Sequence, residues 1–232
     1  MAYIAFGMRN RSVAALGLLA LAPLAAHGDT APQAYAAMGV RPADVLTGTV
    51  LNAKVLPGQD KQVVAMTTYF TGSKERNDAV GVRLDVFARN GERLVPLHGR
   101  DFSQESGGPV GAGELQLVDL DFDGVSEIIA SFASFRNPLI EERVGLVIVH
   151  DEGEFRTAWS GPIAYDATRA AREVAQERRD RFEREIDFGN TLRTRGVTLF
   201  VNKKVLAVAG ERLPQPRVVQ ETFPLRASPA TP

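Results

Sequence analysis

Cysteine is absent from the 232 residues of this chain. Its absence excludes disulfide staples, thiolate catalysis, thiolate-bound metals and lipid attachment at a lipobox. Histidine is nearly as scarce, with three copies at His27, His98 and His150. The chain has no HExxH, GxSxG or Walker sequence, so zinc-peptidase, nucleophile-elbow and P-loop chemistry lack their carriers. An excess of one charge is missing too: 27 basic residues face 28 acidic ones, a formal net charge of −1. Nucleic acid therefore finds no basic footprint, and no face interleaves Arg or Lys with aromatic residues. Beyond the N-terminal stretch, no apolar run reaches the roughly twenty residues a membrane helix needs.

That N-terminal stretch has its own logic. Arg9 and Arg11 supply a positive lead, and Ser12 to Ala26 form an apolar core interrupted by Pro23. Ala26-His27-Gly28 places small residues at the two positions a signal peptidase reads. Residues 1–28 are thus expected to be a cleaved signal peptide, with the mature chain starting near Asp29 and residing in the periplasm or outside the cell. A cysteine-free exported chain suits a compartment where stability comes from a core and an ion. No membrane span is expected after cleavage.

What remains fits one β-rich domain over 43–226, preceded by a loose Ala/Pro-rich lead-in at 29–42 and followed by a disordered tail at 227–232. Short apolar runs predict strands at Val45–Val55, Gln62–Tyr69, Gly81–Ala88 and Arg93–Leu97. The Asn90-Gly91 pair marks a hairpin, with Val82, Leu84 and Val86 on one face. A second hairpin is expected to join Val144–His150 to Glu154–Trp159. A third is expected to turn at Asn202-Lys203-Lys204, with Arg217–Phe223 beside it. The fold class is mainly β: antiparallel hairpins forming a sandwich, an open barrel or a partial propeller. One segment breaks the pattern. Asp166 can cap a long charged amphipathic helix to about Ile186, with Ala170, Ala171, Val174, Arg178, Phe182 and Ile186 near one face. Its charged remainder is expected to be a solvated surface.

The chemistry concentrates in Asp119-Leu120-Asp121-Phe122-Asp123-Gly124-Val125-Ser126-Glu127. Acids stand at loop positions one, three, five and nine, with glycine at six. Alternate residues of a curling loop point inward, so Asp119, Asp121 and Asp123 can converge on one centre. Gly124 permits the reversal, the Val125 carbonyl can add a ligand, and Glu127 can close the cage. An all-oxygen set of this kind suits a hard divalent cation, foremost calcium, which takes six to eight oxygens at about 2.3–2.6 Å. Apolar flanks, Leu115, Leu117 and Val118 before and Ile128, Ile129 and Phe132 after, are of strand type. An EF-hand would lead into a helix and carry an acid at position twelve, which here is Ala130.

With these flanks, "LVDLDFDGVSEIIAS" resembles the FG-GAP or VCBS repeat, the strand–loop–strand calcium motif of integrin-like β-propellers and many secreted bacterial proteins. The likeness covers about residues 114–132, with a weaker echo in "FRTAWSG" at 155–161. It implies a structural calcium ion on Asp119, Asp121, Asp123 and Glu127. One copy is present, whereas a propeller needs repeated blades at a fixed period.

Catalytic alternatives are poorly equipped. His98 lies near Arg100 and Asp101, so a His/Asp pair is conceivable. Glu105 and Glu114 offer carboxylates without a selecting spacing, and "GGPVGAG" at 107–113 leads into a strand instead of a helix N-terminus. Trp159 and Phe155 read as packing residues. The expected function is a non-enzymatic binding module whose calcium is structural and whose partner is a protein or cell-envelope macromolecule. One alternative is a periplasmic inhibitor or immunity-type protein acting on a peptidoglycan hydrolase. Another is a metal-dependent hydrolase using His98 or His150.

Overall fold

Turn-forming residues cut the chain's apolar runs short, and each run finds its neighbour in sequence as an antiparallel partner. The computed structural model describes residues 30–71, 80–103, 110–135, 139–168, 180–191 and 196–226. A helix, α1 (Thr30–Ala37), and a short 3-10 helix at Pro42–Asp44 come first. Four strands follow as one sheet, β1 (Val45–Ala53), β2 (Gln62–Phe70), β3 (Val80–Asn90) and β4 (Arg93–Asp101), in sequential order. The second sheet holds β5 (Val110–Val118), β6 (Glu127–Ser134), β7 (Glu141–Asp151), β8 (Glu154–Asp166), β9 (Arg181–Thr191), β10 (Gly196–Val208) and β11 (Glu211–Pro224). Among the described residues every pairing is antiparallel and follows chain order, and the sheets do not close into a barrel.

The seven-stranded sheet folds over itself. β8 and β9 pair through only Ala164↔Glu183, Tyr165↔Phe182 and Asp166↔Arg181, which leaves the rest of both strands free to diverge. β9–β11 then lie across the face of β5–β8. The Trp159 ring of β8 meets the Phe223 ring of β11 at 6.5 Å, although two strands separate them in the sheet. Two cores result, one on each side of β6 and β7. Ile128, Ala130, Leu146 and Ile148 pack toward Val64, Met66, Val82, Leu84 and Val86 of the first sheet. Ile129, Val147 and Val149 pack the other way, onto Trp159, Ile186, Leu199, Val201 and Leu225. A strand buried on both faces cannot alternate polar with apolar, which accounts for the unbroken run Ile128-Ile129-Ala130 in β6. Each fully buried Val, Leu, Ile or Phe contributes about 1.5–3 kcal/mol.

Packing is tight where β7 crosses β8. A Cβ added at Gly145 would lie 2.6 Å from Ile163 Cγ2 and 3.4 Å from the Trp159 ring. Gly145→Ala is therefore expected to cost about 1–3 kcal/mol by overpacking, read from the urea midpoint. An unchanged midpoint would mean that Ile163 moves aside freely.

Three expectations need correction. The charged helix over 166–186 does not form as read: Asp166 ends β8, and Arg181–Ile186 open β9. Phe182 and Ile186 are buried while Arg181, Glu183 and Glu185 are exposed, a period of two. A four-residue spacing belongs to both a helix face and a strand face, and tertiary pairing with β10 selected the strand. Residues 169–179, Ala170, Ala171, Val174 and Arg178 among them, lie outside the described residues.

The third hairpin also turns later than expected. β10 runs straight through Asn202-Lys203-Lys204, and the reversal falls at Ala209-Gly210, with φ of 52° and 86°. Lys203 lays its ammonium 4.1 Å from the Phe182 ring centre, and Asn202 accepts a hydrogen bond from Gln220 at 2.8 Å. These polar residues thus have partners within the sheet.

The lead-in at 29–42 contains α1 instead of loose chain. Ala34, Met38 and Val40 are buried against Val50, Val63, Ala65 and Phe87 on the outer face of β1–β4. The signal peptide expected at 1–28 and the tail expected at 227–232 lie outside the described residues. The turns expected at Asn90-Gly91 and Asp151–Gly153 do form, with Gly91 at φ 60° and Glu152-Gly153 at 50° and 89°.

Candidate metal centre

The acidic loop joins β5 to β6, so both its ends are fixed by strands of the central layer. Within it the backbone is folded by its own carboxylates. Asp119 accepts the N–H of Asp123 at 3.1 Å through Oδ1 and that of Gly124 at 2.9 Å through Oδ2. Asp123 Oδ1 accepts the Val125 N–H at 2.8 Å. Glu127, in the first position of β6 and only 1% exposed, accepts the Leu120 N–H at 2.7 Å through Oε2. Leu120 is buried in the core toward β9–β11 and Val125 is buried as well, so the loop hangs from apolar anchors. Two residues take left-handed backbone angles, Phe122 at φ 61° and Gly124 at 81°. Glycine is suited to this conformation; phenylalanine is not, and its side chain is 83% exposed. One more bond, from the Ser126 N–H to the Lys54 carbonyl at 2.7 Å, ties the loop to the first sheet.

Three of the expected ligands converge. One oxygen each from Asp119, Asp121 and Glu127 lie within 4.8 Å of one another, a group that could hold a metal ion. The donors are all carboxylate oxygen, the set preferred by hard cations. Asp121 Oδ1 is buried and has no hydrogen-bond partner among the described residues. A bare buried carboxylate oxygen is costly unless a cation reaches it, so the residues fit a cation. Asp123 stands apart from this triad, committed to its own turn and to a basic partner. Val125 contributes an N–H to Asp123.

That basic partner is Arg226, which the sequence reading did not single out. It follows β11 and reaches back across about a hundred residues of chain. Its Nη1 lies 2.8 Å from Asp123 Oδ2 and 3.1 Å from Asp121 Oδ2, and its Nη2 lies 3.1 Å from Glu127 Oε1. No local motif marks this arginine. The available signal was electrostatic: four carboxylates with no basic residue between Glu114 and Phe135 require an outside countercharge.

Burial and charge act against each other across the cluster. Burial pushes the Glu127 carboxyl up to about 7, assisted by the Asp121 charge and opposed by the Leu120 N–H and Arg226. Burial also raises Asp121, against the pull of Arg226. For Asp123 burial is outweighed by hydrogen bonds from Arg226 and Val125, so its carboxyl is lowered. Arg226 is raised, since its carboxylate partners outweigh its own desolvation.

Other candidate residues are placed elsewhere. His98 and His150 both pack on Phe155, with ring centres 5.1 and 5.2 Å away, and line a cavity of about 490 Å3 with Leu56, Leu97 and Glu154. Asp101 accepts hydrogen bonds from the Tyr69 hydroxyl and the Ser103 N–H, each at 3.1 Å. Arg100 bonds to Thr157 at 2.7 Å. Glu114 pairs with Arg143 at 2.8 Å. Trp159 is core, as expected. His27 and Glu105 lie outside the described residues. No known protein family, curated protein or solved structure matches this chain.

Proposed function

We propose that this protein is an exported, non-enzymatic binding module whose acidic loop carries a structural calcium ion. The single observation supporting this is the convergence of Asp119, Asp121 and Glu127 at the rim of the central layer. Calcium suits such a loop because it tolerates irregular, many-oxygen coordination, whereas magnesium demands a tighter octahedron. In this reading Asp119, Asp121 and Glu127 supply the first ligands, and Asp123, whose Oδ2 would have to leave Arg226, and the Val125 carbonyl complete the set. The likeness of "LVDLDFDGVSEIIAS" to the FG-GAP/VCBS loop points the same way. An ion joining the β5 end to the β6 start would brace the two cores where they meet. A rigid frame leaves the loops to recognise a protein or cell-envelope macromolecule. Calorimetric titration of the full chain with calcium chloride tests the reading, and an absence of heat would remove it. Assays against peptidoglycan hydrolases test the inhibitor version.

The ion should compete with protons. A cation needs Glu127 ionised, and the carboxyl is pushed up to about 7. Its ionised fraction falls as pH drops, so calcium affinity should weaken about tenfold between pH 8 and pH 6. A flat pH profile would show that Glu127 is not a ligand.

A further inference from the structure

We infer that Arg226 is the resident counter-cation of the acidic loop, and that a divalent ion displaces its guanidinium and thereby loosens the end of β11. The inference rests on the calcium reading and adds the residue that sets the affinity and valence selectivity of the site.

The oxygens are nearly all in use. Both oxygens of Asp119, both of Asp123 and both of Glu127 accept protein hydrogen bonds, and Asp121 Oδ2 pairs with Arg226. Only Asp121 Oδ1 has no partner. Arg226 alone engages Asp121 Oδ2, Asp123 Oδ2 and Glu127 Oε1. A metal bound to Asp121 and Glu127 would stand beside a fixed positive charge sharing the same carboxylates. The two cations repel, and the partly buried setting screens them less than bulk water does. Occupation by one therefore opposes occupation by the other.

Valence follows from the same arrangement. A sodium or potassium ion would exchange one positive charge for another and lose its hydration without electrostatic gain. A divalent ion brings one charge more than the arginine it replaces, and calcium gives up its water more readily than magnesium. The site is thereby closed to the monovalent ions abundant around it.

Displacement has a mechanical consequence. Arg226 is joined to Leu225, which is buried in the core toward β9–β11 and whose carbonyl accepts from Arg156 at 3.2 Å. Two residues earlier, Phe223 stands against Trp159, the chain's one tryptophan. Freeing Arg226 removes the ionic clasp that holds this end of β11 to the loop, and the Trp159–Phe223 contact reports it.

Calcium titrations of the full chain and of Arg226→Gln and Arg226→Lys, followed by calorimetry and tryptophan emission, test the inference. Arg226→Gln is expected to bind calcium on the order of tenfold more tightly than the wild type, with Arg226→Lys between them. Wild-type emission should shift on adding calcium chloride and stay unmoved by sodium chloride at equal ionic strength. Calcium-free Arg226→Gln should already show the shifted emission. Should Arg226→Gln fail to fold, Arg226→Lys and the wild-type emission still decide. Equal affinities with unmoved emission would overturn the inference and leave the calcium reading standing, with Arg226 a permanent clasp. Weaker binding by Arg226→Gln would also overturn it. Absence of binding in every variant would overturn both.

Discussion

Saturating calcium raises the thermal midpoint of this protein by about 5–10 °C over the chelated form, and Asp121→Asn abolishes the rise. At a free concentration a hundred times the dissociation constant, a ligand bound only by the native state adds about 2.7 kcal/mol. For a chain of this size each kcal/mol moves the midpoint by about 2–4 °C. Asp121 is the most informative position because its Oδ1 is buried without an internal partner. Replacing it with asparagine removes a metal-ligand charge and one of the three carboxylates that Arg226 engages, and leaves in place the loop N–H bonds accepted by Asp119, Asp123 and Glu127. Asp119→Asn is less clean, since both oxygens of that residue also hold the Asp123 and Gly124 N–H groups. Scanning calorimetry with calcium chloride and with chelator measures both forms. A midpoint indifferent to calcium in the wild type would show that Arg226 satisfies the cluster by itself.

Phe102→Ala lowers stability by about 3–5 kcal/mol, whereas Phe122→Ala stays within about 0.5 kcal/mol. Phe102 is 1% exposed and stacks on Phe132 of β6 with ring centres 4.7 Å apart, closing the core between the two sheets. Arg100 lies 5.3 Å over the same ring. Removing the Phe102 ring leaves a cavity that the strands around it, held in two paired sheets, collapse only partly to fill. Phe122 projects from the acidic loop into solvent, so its ring leaves nothing behind. Urea unfolding of the two variants separates these outcomes. Equal effects would contradict the burial of Phe102 between the sheets.

The two phenylalanines also show what local pattern conveys. Both stand beside aspartates in polar stretches, Asp101-Phe102-Ser103 and Asp121-Phe122-Asp123. Nothing in either neighbourhood says which ring is buried. That depends on Phe132, thirty positions from Phe102 in the chain.

The acidic loop was legible because its folding is local: Asp119 bonds Asp123 and Gly124, and Glu127 bonds Leu120, all within nine residues. The early hairpins were legible for the same reason, through Gly91 and Gly153 at positive φ. Arg226 was not, because a countercharge about a hundred residues away carries no spacing. The strand at Arg181–Ile186 was misread because buried positions four apart satisfy helix and strand alike, and pairing with β10 made the choice. Lys203 and Lys204 looked like a turn, yet sheet neighbours hold them extended.

Sequence by itself determined the hairpin strands of the first sheet, two of the turns and the convergence of three of the acids, since each arises from forces between residues close in the chain. Only the tertiary structure decided that β9–β11 fold back over β5–β8, burying β6 and β7 on both faces. That folding also brought a distant guanidinium to the carboxylates. Burial and long-range charge pairing depend on which surfaces meet, and a linear pattern records each surface without its partner.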